Sequence, residues 1–324
     1  MPRRNAPMKL IAPQDVRRIA LLGAGTIGSG WAVHYLARGM TLTLYDPASD
    51  AEQRVRAFIA KAWPTMCRLG LSAGADPDAF RIAPDPIEAV RDADFVQESG
   101  PERTDLKRDL YRRVDEALPP GVVVASSTSG LPMTALQADL PGAARYVTGH
   151  PVNPPHLIPL VEVVGGSATA PEVIEWALAF YRAQGKRAIH IRKEVPGMLV
   201  NRLQVALWRE AVHAVADGIA SVEDVDAAVV HALGLRWALI GPHLTIHLAG
   251  GPGGMRRHLE HLGPSIEDWW QDLGAPKLEP QVNEKLIEGI EAETAGRSYD
   301  DLVAERDALL VEVLQTLKQA RGAS

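Results

Sequence analysis

Residues 18–31 read R-I-A-L-L-G-A-G-T-I-G-S-G-W, and this stretch decides how the first half of the chain folds. Its apolar residues 19–22 are typical of a buried strand and lead directly into a G-x-G-x-x-G turn, after which residues 31–38 have a helical pattern. The first glycine permits a tight turn, the second lets a pyrophosphate approach the backbone, and the third lets helix and strand pack closely. The flanking strand and helix favour a dinucleotide site over a glycine turn that binds nothing. The predicted contact residues are Gly23, Ala24, Gly25, Thr26, Ile27 and Gly28.

The second predicted strand, residues 41–45, ends at Asp46, which follows Gly23 by 23 residues. An acidic side chain near this distance accepts a hydrogen bond from a ribose 2′-hydroxyl and repels a 2′-phosphate. The next four residues, P-A-S-D, bring no arginine that would pair with such a phosphate. The sequence therefore favours NAD over NADP as the cofactor.

Short β-branched runs alternate with helical patterns from about residue 18 to residue 191, which is typical of parallel strands joined by crossover helices. Pro196 and Gly197 then interrupt the chain, and the remainder has helical patterns only. We expect an α/β protein with a Rossmann-type doubly wound parallel sheet followed by an all-α C-terminal domain. The predicted domains are an NAD-binding domain at residues 1–195 and a helical domain at residues 196–324 that binds substrate and forms a homodimer. The predicted strands are residues 19–22, 41–45, 94–97, 122–125, 146–148, 160–163 and 188–191.

The composition is that of a globular protein with a small-molecule substrate. The 324 residues are 46% hydrophobic, enough for two domains to bury their own cores, and carry a formal net charge of -6. That charge gives no basic excess to attract nucleic acid or an anionic membrane. The single cysteine, Cys67, cannot form an internal disulfide, and no apolar run of signal-peptide length follows Arg3 and Arg4. We expect a cytoplasmic protein with neither a nucleic acid nor a membrane partner.

Polar residues follow the predicted strands at the carboxyl edge of the sheet, where open α/β proteins bind their ligands. Oxidation of a secondary alcohol needs a base for the hydroxyl proton, a partner for the cation that forms, and groups that hold the oxygen. Histidine suits the base because it titrates near neutral pH, and a carboxylate beside it favours the protonated ring. The candidate catalytic residues are Ser129, His150, Glu162 and Asn201.

Glu162 lies between Val161 and Val163 in an apolar run, and a carboxylate buried there needs a partner. A non-catalytic interpretation stays open for each residue of the proposed pair of His150 and Glu162. Glu162 would face solvent if its strand lay at the edge of the sheet, and His150 would be a loop histidine with satisfied hydrogen bonds.

Five ordered motifs resemble those of the 3-hydroxyacyl-CoA dehydrogenases and their relatives that act on free hydroxy acids, and the match extends over nearly the whole chain. They are G-A-G-T-I-G-S-G at 23–30, S-S-T-S-G-L at 126–131, G-H-P-V-N-P-P at 149–155, L-V-E-V-V at 160–164 and P-G-M-L-V-N-R-L at 196–203. The resemblance implies an NAD-dependent dehydrogenase whose active site contains the four candidate residues. It also implies that Glu102, Lys107 and Asn153 contact the nicotinamide half of the cofactor. Lys107 taken alone would also suit a solvated charge at a helix start.

The segments G-L-R-W-A-L-I-G-P at 234–242 and H-L-A-G-G-P-G-G-M at 247–255 resemble two subgroups of that family. One oxidises L-carnitine at its 3-hydroxyl to 3-dehydrocarnitine, and the other, which includes lambda-crystallin of the lens, oxidises L-gulonate. Trp237 favours the first, because aromatic faces hold a trimethylammonium group, and Arg236 is a candidate for the substrate carboxylate. His243 and Ile246 depart from the phenylalanines of that subgroup. L-gulonate, a 3-hydroxyacyl-CoA and a crystallin-like NAD-binding protein without turnover therefore stay open as alternatives.

A pair of histidines in the same region has the spacing of some metal ligands. His243 and His247 are four residues apart, but no glutamate follows His243 as it does in zinc proteases. Hydride transfer with a histidine base needs no metal, so we expect none.

Overall fold

The computed structural model describes residues 9–322, so that Arg3 and Arg4 lie outside the described residues. The chain divides into two compact units. The first comprises the residues up to Arg202 together with Asp307–Gln315. The second comprises Leu203–Arg306 and the residues from Thr316 onward.

One eight-stranded sheet forms the centre of the first unit. Its strands are β1 (Arg18–Leu22), β2 (Thr41–Tyr45), β3 (Phe80–Ile82), β4 (Phe95–Glu98), β5 (Val123–Ser126), β6 (Tyr146–Pro151), β7 (Leu160–Gly165) and β8 (Arg187–His190). Their order across the sheet is β3-β2-β1-β4-β5-β6-β7-β8. Neighbouring strands pair in parallel except β6 and β7, which pair antiparallel. The strand order reverses between β1 and β4, which creates the crevice where doubly wound sheets bind their ligands.

Apolar side chains cover both faces of this sheet. Leu21 belongs to one buried cluster and Leu22 to another, because successive residues of a strand point to opposite faces. The first cluster also contains Phe180, and the second also contains Tyr111. Strands covered on both faces read as continuous apolar runs, which is why β1 has four buried residues after Arg18.

The helices cover the sheet in the first unit and make up nearly all of the second. They are α1 (Thr26–Ala37), α2 (Ala51–Leu69), α3 (Pro86–Val90), α4 (Thr104–Asp115), α5 (Met133–Leu136), α6 (Pro171–Ala183), α7 (Val200–Ala216), α8 (Val222–Ala228), α9 (Leu235–Trp237), α10 (Pro242–Ala249), α11 (Gly254–Asp272), α12 (Pro280–Thr294) and α13 (Tyr299–Ala320). Short 3-10 turns occur at Pro13–Asp15, Ala143–Arg145 and Gly251–Gly253, and a π-helical turn at Val229–Gly234. Between residues 9 and 322, no helix combines the length and the apolar composition needed to cross a bilayer.

The doubly wound sheet and the helical C-terminal region are confirmed, and the sheet differs from the expectation in three respects. Phe80–Ile82 adds an eighth strand that is too short to show a periodicity. The last two strands run opposite to the others, because β6 turns back into β7 without a crossover helix. The predicted strand at 146–148 also extends to Pro151, which places His150 inside β6.

Candidate active site

The glycine turn between β1 and α1 has the exposed backbone that a pyrophosphate needs. Gly23 has a φ of +103°, and a Cβ on Gly28 would lie 2.0 Å from the carbonyl oxygen of Gly23. Gly25 is different, because a Cβ there would meet nothing within 4 Å. Gly25 is also the N-cap of α1, and no side chain caps this helix. The first amides of α1 are therefore available to an anion, and the turn fits the phosphates of a dinucleotide.

The other residues of the turn lie around this opening. Thr26 is the first residue of α1 and is exposed, Ile27 is half-buried, and Ala24 is buried. The backbone N–H of Ala24 donates to Oδ2 of Asp46 at 2.8 Å, which ties the turn to the end of β2.

Asp46 keeps capacity to accept a ribose hydroxyl. Its Oδ1 accepts the backbone N–H of Ala48 at 3.0 Å, and each carboxylate oxygen has two lone pairs. Arg54 lies beyond the four residues considered in the sequence, and its Nη2 is 3.7 Å from the same Oδ1. The Nε of Arg54 pairs with Asp50 at 3.1 Å, so part of its charge is already compensated.

His150 and Glu162 face each other across the antiparallel pair of β6 and β7. The register places the two residues directly opposite, and Nδ1 of His150 lies 2.8 Å from Oε2 of Glu162. His150 is 6% exposed and Glu162 is fully buried. Glu162 does not face solvent, because β8 forms the edge beyond β7, and His150 is not a loop residue. The structure therefore brings together the two residues predicted to form the base.

The second oxygen of Glu162 binds the start of α7. Oε1 accepts the backbone N–H groups of Leu199 at 2.8 Å and Val200 at 3.0 Å. Burial would raise the pKa of Glu162, but the hydrogen bonds from His150 and these two amides outweigh it and hold the pKa below its usual value. The carboxylate therefore stays ionised near neutral pH, and as an acceptor it requires Nδ1 of His150 to donate. Asn201 is the next residue of α7 after Val200 and is half-buried.

Glu102 holds the loop that contains Ser129. Its Oε1 accepts four hydrogen bonds, three of which come from Thr128 Oγ1 at 2.7 Å and from the backbone N–H groups of Ser129 and Gly130 at 2.9 Å each. The hydroxyl of Ser129 lies 3.3 Å from the same oxygen. Burial would raise the pKa of Glu102, but these hydrogen bonds and the charge of Lys107 lower it below its usual value. The two predicted contact residues Glu102 and Ser129 therefore lie together.

Lys107 is buried rather than solvated, with 2% of its surface exposed. Its Nζ donates to Oε1 of Glu98 at 2.6 Å and to the carbonyl oxygen of Gly100 at 3.1 Å, and it lies 3.9 Å from Oε2 of Glu102. Sequence reasoning misses Glu98, because the predicted strand ends one residue earlier. The available signal is an acidic residue at the end of an apolar strand, where burial demands a partner.

A second buried polar network lies on the opposite face of the same strands. The hydroxyl of Ser127 accepts from Nε1 of Trp31 at 3.2 Å and from Nε2 of Gln97 at 2.9 Å, and it lies 2.8 Å from the hydroxyl of Ser99. The Oε1 of Gln97 accepts the hydroxyl of Tyr181 at 2.7 Å. These bonds connect the loops after β4 and β5 to each other and to α1. They fix the loops that contain the candidate residues.

The remaining predicted residues are exposed. Asn153 is exposed in the loop between β6 and β7, three residues beyond His150. Arg236 and Trp237 belong to α9 of the second unit, where both are exposed and Nε of Arg236 donates to the carbonyl oxygen of Ala232 at 3.3 Å.

Within the described residues 9–322, no group of three or more His, Cys, Asp or Glu side chains is arranged to hold a metal ion. His243 and His247 both lie in α10. The Nδ1 of His247 accepts the backbone N–H of Met255 at 3.2 Å.

Two family models match the chain in succession. The model of the 3-hydroxyacyl-CoA dehydrogenase NAD binding domain matches residues 18–195, and that of the 3-hydroxyacyl-CoA dehydrogenase C-terminal domain matches residues 197–295. The L-carnitine dehydrogenase of Streptomyces coelicolor is 53% identical over 306 residues, which are 94% of this chain and 96% of that protein. The L-carnitine dehydrogenase of Pseudomonas putida is 43% identical over 308 residues, 95% of this chain and 96% of that protein.

A solved structure has the same architecture over nearly the whole chain. It is that of 5-formyl-3-hydroxy-2-methylpyridine 4-carboxylic acid 5-dehydrogenase, an NAD+-dependent dismutase, and it superposes with a TM-score of 0.80 at 32% identity. The superposition covers 94% of this chain and 99% of that chain. From its two domain matches and these relatives, the chain belongs to the 3-hydroxyacyl-CoA dehydrogenase family of NAD-dependent oxidoreductases.

Proposed function

We propose that this protein oxidises the 3-hydroxyl of L-carnitine to 3-dehydrocarnitine with NAD, and that His150 is the general base. The observation that carries the reaction is the buried contact of 2.8 Å between Nδ1 of His150 and Oε2 of Glu162. The relatives that support the substrate are L-carnitine dehydrogenases with 43% to 53% identity over at least 94% of this chain.

The Glu162 carboxylate selects which nitrogen of His150 acts as the base. A carboxylate only accepts hydrogen bonds, so Nδ1 carries the proton and Nε2 keeps its lone pair. Nε2 takes the hydroxyl proton of the substrate, and the imidazolium that results is stabilised by the adjacent negative charge. Glu162 in turn cannot rotate away, because Leu199 and Val200 hold its other oxygen.

Ser129 and Asn201 are proposed to hold the reacting oxygen of the substrate. A hydroxyl and an amide donate to an alkoxide-like oxygen and so stabilise the charge that develops on it. When bound, NAD supplies the acceptor for the hydride that leaves the carbinol carbon. Glu102, Lys107 and Asn153 are proposed to contact the nicotinamide half, and the glycine turn with Asp46 the adenosine half.

The two ends of carnitine differ in chemistry, and the proposal assigns one residue to each. Arg236 is proposed to bind the carboxylate with two parallel donors, and Trp237 to face the trimethylammonium group. Trp237 has 39% of its surface exposed and Arg236 is exposed as well, so both side chains are accessible to a small molecule.

A homodimer is also proposed, on the basis of α11 in the second unit. Leu259, Leu262 and Trp269 recur at helical spacing on this helix, and all three are exposed. An exposed apolar stripe of this kind is typical of a surface that is buried in an assembly.

A cytoplasmic location stays a prediction.

A substrate panel tests the proposed reaction. L-carnitine, D-carnitine, L-gulonate and 3-hydroxybutyryl-CoA are each incubated with the protein and NAD, and NADH is followed by its absorbance. We expect turnover of L-carnitine with a kcat/KM at least about tenfold above that of the others. Gulonate and the acyl-CoA lack the trimethylammonium group, and D-carnitine held by the same two ends would not direct its carbinol hydrogen toward the nicotinamide. Turnover of gulonate or the acyl-CoA without turnover of L-carnitine would replace the substrate, and NADH binding without any turnover would favour a structural NAD-binding protein.

The assignment of Trp237 is tested by Trp237→Ala. Loss of a cation–π contact is expected to raise the KM for L-carnitine roughly tenfold while the Kd of NADH is unchanged. The matched control is Tyr299→Ala, which removes an exposed aromatic side chain of the same unit outside both the proposed substrate segment and α11. A parallel loss of carnitine and NADH binding in Trp237→Ala would indicate misfolding and would reject the assignment.

A further inference from the structure

We infer that Glu98 is a positioning residue that neutralises Lys107, so that the cofactor site admits the cationic nicotinamide ring of NAD+ as well as the neutral ring of NADH. The inference rests on the proposed contact between Lys107 and the nicotinamide half. Glu98 lies outside the proposed catalytic set, and its side chain is fully buried.

The carboxylate of Glu98 is saturated by four donors. Its Oε1 accepts Nζ of Lys107 at 2.6 Å and the backbone N–H of Gly100 at 2.5 Å. Its Oε2 accepts the hydroxyls of Tyr111 at 2.6 Å and Ser126 at 2.7 Å. A carboxylate offers about four acceptor positions, so no position is left for a ligand. Glu98 therefore serves the structure around it and does not itself bind a substrate.

Tyr111 donates its phenolic hydroxyl to the carboxylate of Glu98. Burial and the adjacent Glu98 raise the pKa of Tyr111 well above its usual value, so the phenol stays protonated and donates. A buried carboxylate of this kind is stable only when it is paired and hydrogen-bonded. The pair with Lys107 supplies the opposite charge, and each partner is at most 2% exposed.

The donors of Glu98 come from three elements that surround the proposed cofactor site. Lys107 and Tyr111 belong to α4, Ser126 ends β5, and Gly100 lies in the loop after β4. This loop touches the glycine turn, because a Cβ on Gly23 would lie 2.8 Å from the backbone nitrogen of Gly100. Glu98 thus connects the phosphate-binding turn to the helix that contains Lys107.

From Lys107 the contacts continue toward the loop that contains Ser129. Its ammonium has three N–H groups, of which one is directed to Glu98 and one to the carbonyl oxygen of Gly100. Oε2 of Glu102 lies 3.9 Å from the same ammonium, and Oε1 of Glu102 accepts the backbone N–H of Ser129. Under the proposed contact, the third N–H of Lys107 is the one that would donate to the cofactor, while Glu98 pairs with the same ammonium.

The charge of the nicotinamide ring makes this compensation measurable. The ring is positive in NAD+ and neutral in NADH, so an uncompensated ammonium nearby repels only the oxidised form. Glu98→Gln removes the nearer of the two carboxylates beside Lys107, makes this group of residues one charge unit more positive, and is expected to raise the ratio of the Kd of NAD+ to the Kd of NADH roughly tenfold. Lys107→Met leaves the carboxylate uncompensated and is expected to lower the same ratio by a similar factor.

The experiment measures both dissociation constants by calorimetry and by NADH fluorescence, without substrate, for the wild-type protein and four variants. The variants are E98Q, K107M, the double variant E98Q/K107M and the control S126A. S126A removes one hydrogen bond from Glu98 without changing any charge. We expect the double variant and S126A to return the wild-type ratio within about twofold, since neither changes the net charge around Lys107.

Each outcome of this design decides the question. Equal changes in the two dissociation constants of E98Q and K107M would mean that the pair is only structural, and would overturn the inference. If E98Q does not fold, the two other single variants test the inference. K107M should lower the ratio of the Kd of NAD+ to the Kd of NADH, and S126A should leave it unchanged. If the wild-type protein binds neither NAD+ nor NADH, the proposed function fails, which is a different result from an unchanged ratio.

Discussion

At the residue scale, the proposed base depends on a carboxylate that is fully buried and yet ionised. Glu162 receives three donors, from His150 on the neighbouring strand and from the amides of Leu199 and Val200 at the start of α7. Hydrogen bonds to an ionised acceptor are stronger than neutral ones and offset the loss of hydration. The pairing of β6 with β7 and the backbone at the start of α7 together fix the position of Glu162. Glu162 in turn orients the imidazole of His150.

His150→Gln is expected to lower kcat by about 10²- to 10⁴-fold while the Kd of NADH stays within about twofold of the wild-type value. The substitution keeps a polar side chain opposite Glu162 but removes the nitrogen that accepts the proton. Steady-state kinetics and NADH fluorescence titration measure the two quantities. The matched control is His190→Gln, an exposed histidine at the end of β8, which should leave both unchanged. A kcat reduced less than tenfold in His150→Gln would assign the proton to another group.

Lys186 is another buried ionisable residue, but its surroundings disfavour its charged form. It is 6% exposed, lies 5.3 Å from the centre of the Trp31 ring, and donates to the carbonyl oxygens of Pro155 and Ile158. Burial first, and then the charge of Arg38, lowers its pKa to about 7. The group thus stabilises the loop that follows His150, but the folded state disfavours its ammonium form.

The free energy of unfolding is expected to rise with pH between about 7 and 10.5 because of Lys186. Below about pH 7 the lysine is protonated in both states, and the folded state bears the full cost of a buried cation. Above that pH only the unfolded state binds the proton, up to its usual pKa of 10.5, so increasing pH favours folding. Urea titrations from pH 6 to pH 10 should show this rise in the wild-type protein and in the exposed control Lys193→Met. If the free energy of unfolding of Lys186→Met rose with pH as much as that of the wild-type protein, a group other than Lys186 would be responsible.

At the element scale, the ends of strands and helices determine where the site lies. α1 has a glycine N-cap and no capping side chain, β4 and β5 end in loops connected by buried polar side chains, and β6 and β7 place a histidine opposite a glutamate. Each end leaves backbone or side-chain groups that the regular structure does not satisfy. The proposed site consists of such ends, which explains why its residues are scattered along the sequence.

Gly25→Ala is expected to weaken NADH binding roughly tenfold or more while leaving thermal stability nearly unchanged. A Cβ at Gly25 meets no protein atom within 4 Å, and its φ of -70° suits alanine, so the folded protein tolerates the methyl group. The methyl group would instead occupy the space where the pyrophosphate approaches the backbone. Fluorescence titration and thermal unfolding measure the two effects separately.

Gly241→Ala provides the matched control for that substitution. Gly241 is the N-cap of α10, has a φ of -73°, and likewise has open space at its Cβ position. Both variants replace a glycine N-cap by alanine and so share any cost to the helix start. Only Gly25→Ala should affect NADH. Equal affinities for NADH in the two variants would place the dinucleotide away from the turn.

The sequence predicts best those features of the fold and of the site whose signals lie within a short stretch of the chain. The glycine turn and Asp46 are read directly, since each depends on a strand end and a short spacing. The pairing of His150 with Glu162 is not contained in the hydrophobic pattern, because periodicity does not distinguish parallel from antiparallel neighbours. The contact between Glu98 and Lys107 is harder still, because it needs the end of β4 and the interior of α4 to be placed in space together.

At the scale of the whole molecule, the two units differ in how completely they bury their apolar residues. The first unit encloses its sheet between two apolar clusters. In the second unit, α11 exposes Leu259, Leu262, Trp269 and Trp270, with more than 60% of each tryptophan accessible. A monomer that exposes such a stripe would be prone to association, so the proposed homodimer is the arrangement that best explains it.

The protein is expected to sediment as a dimer, and the double variant Leu262→Ser/Trp269→Ser is expected to raise the dimer dissociation constant at least tenfold. Large apolar side chains at the centre of an interface contribute most of its binding energy, and serine removes that area without adding a charge. Sedimentation velocity over a range of concentrations measures the change.

The control Leu71→Ser alters an exposed leucine of the first unit and should sediment as the wild-type protein does. A wild-type protein that stays monomeric at high concentration would contradict the proposal, and dimers that persist in the double variant would place the interface on another surface. Trp269 and Trp270 are exposed in the single chain, so the tryptophan fluorescence of the wild-type protein should shift to longer wavelength when the proposed dimer dissociates on dilution, which reports exposure of the same helix independently of mass.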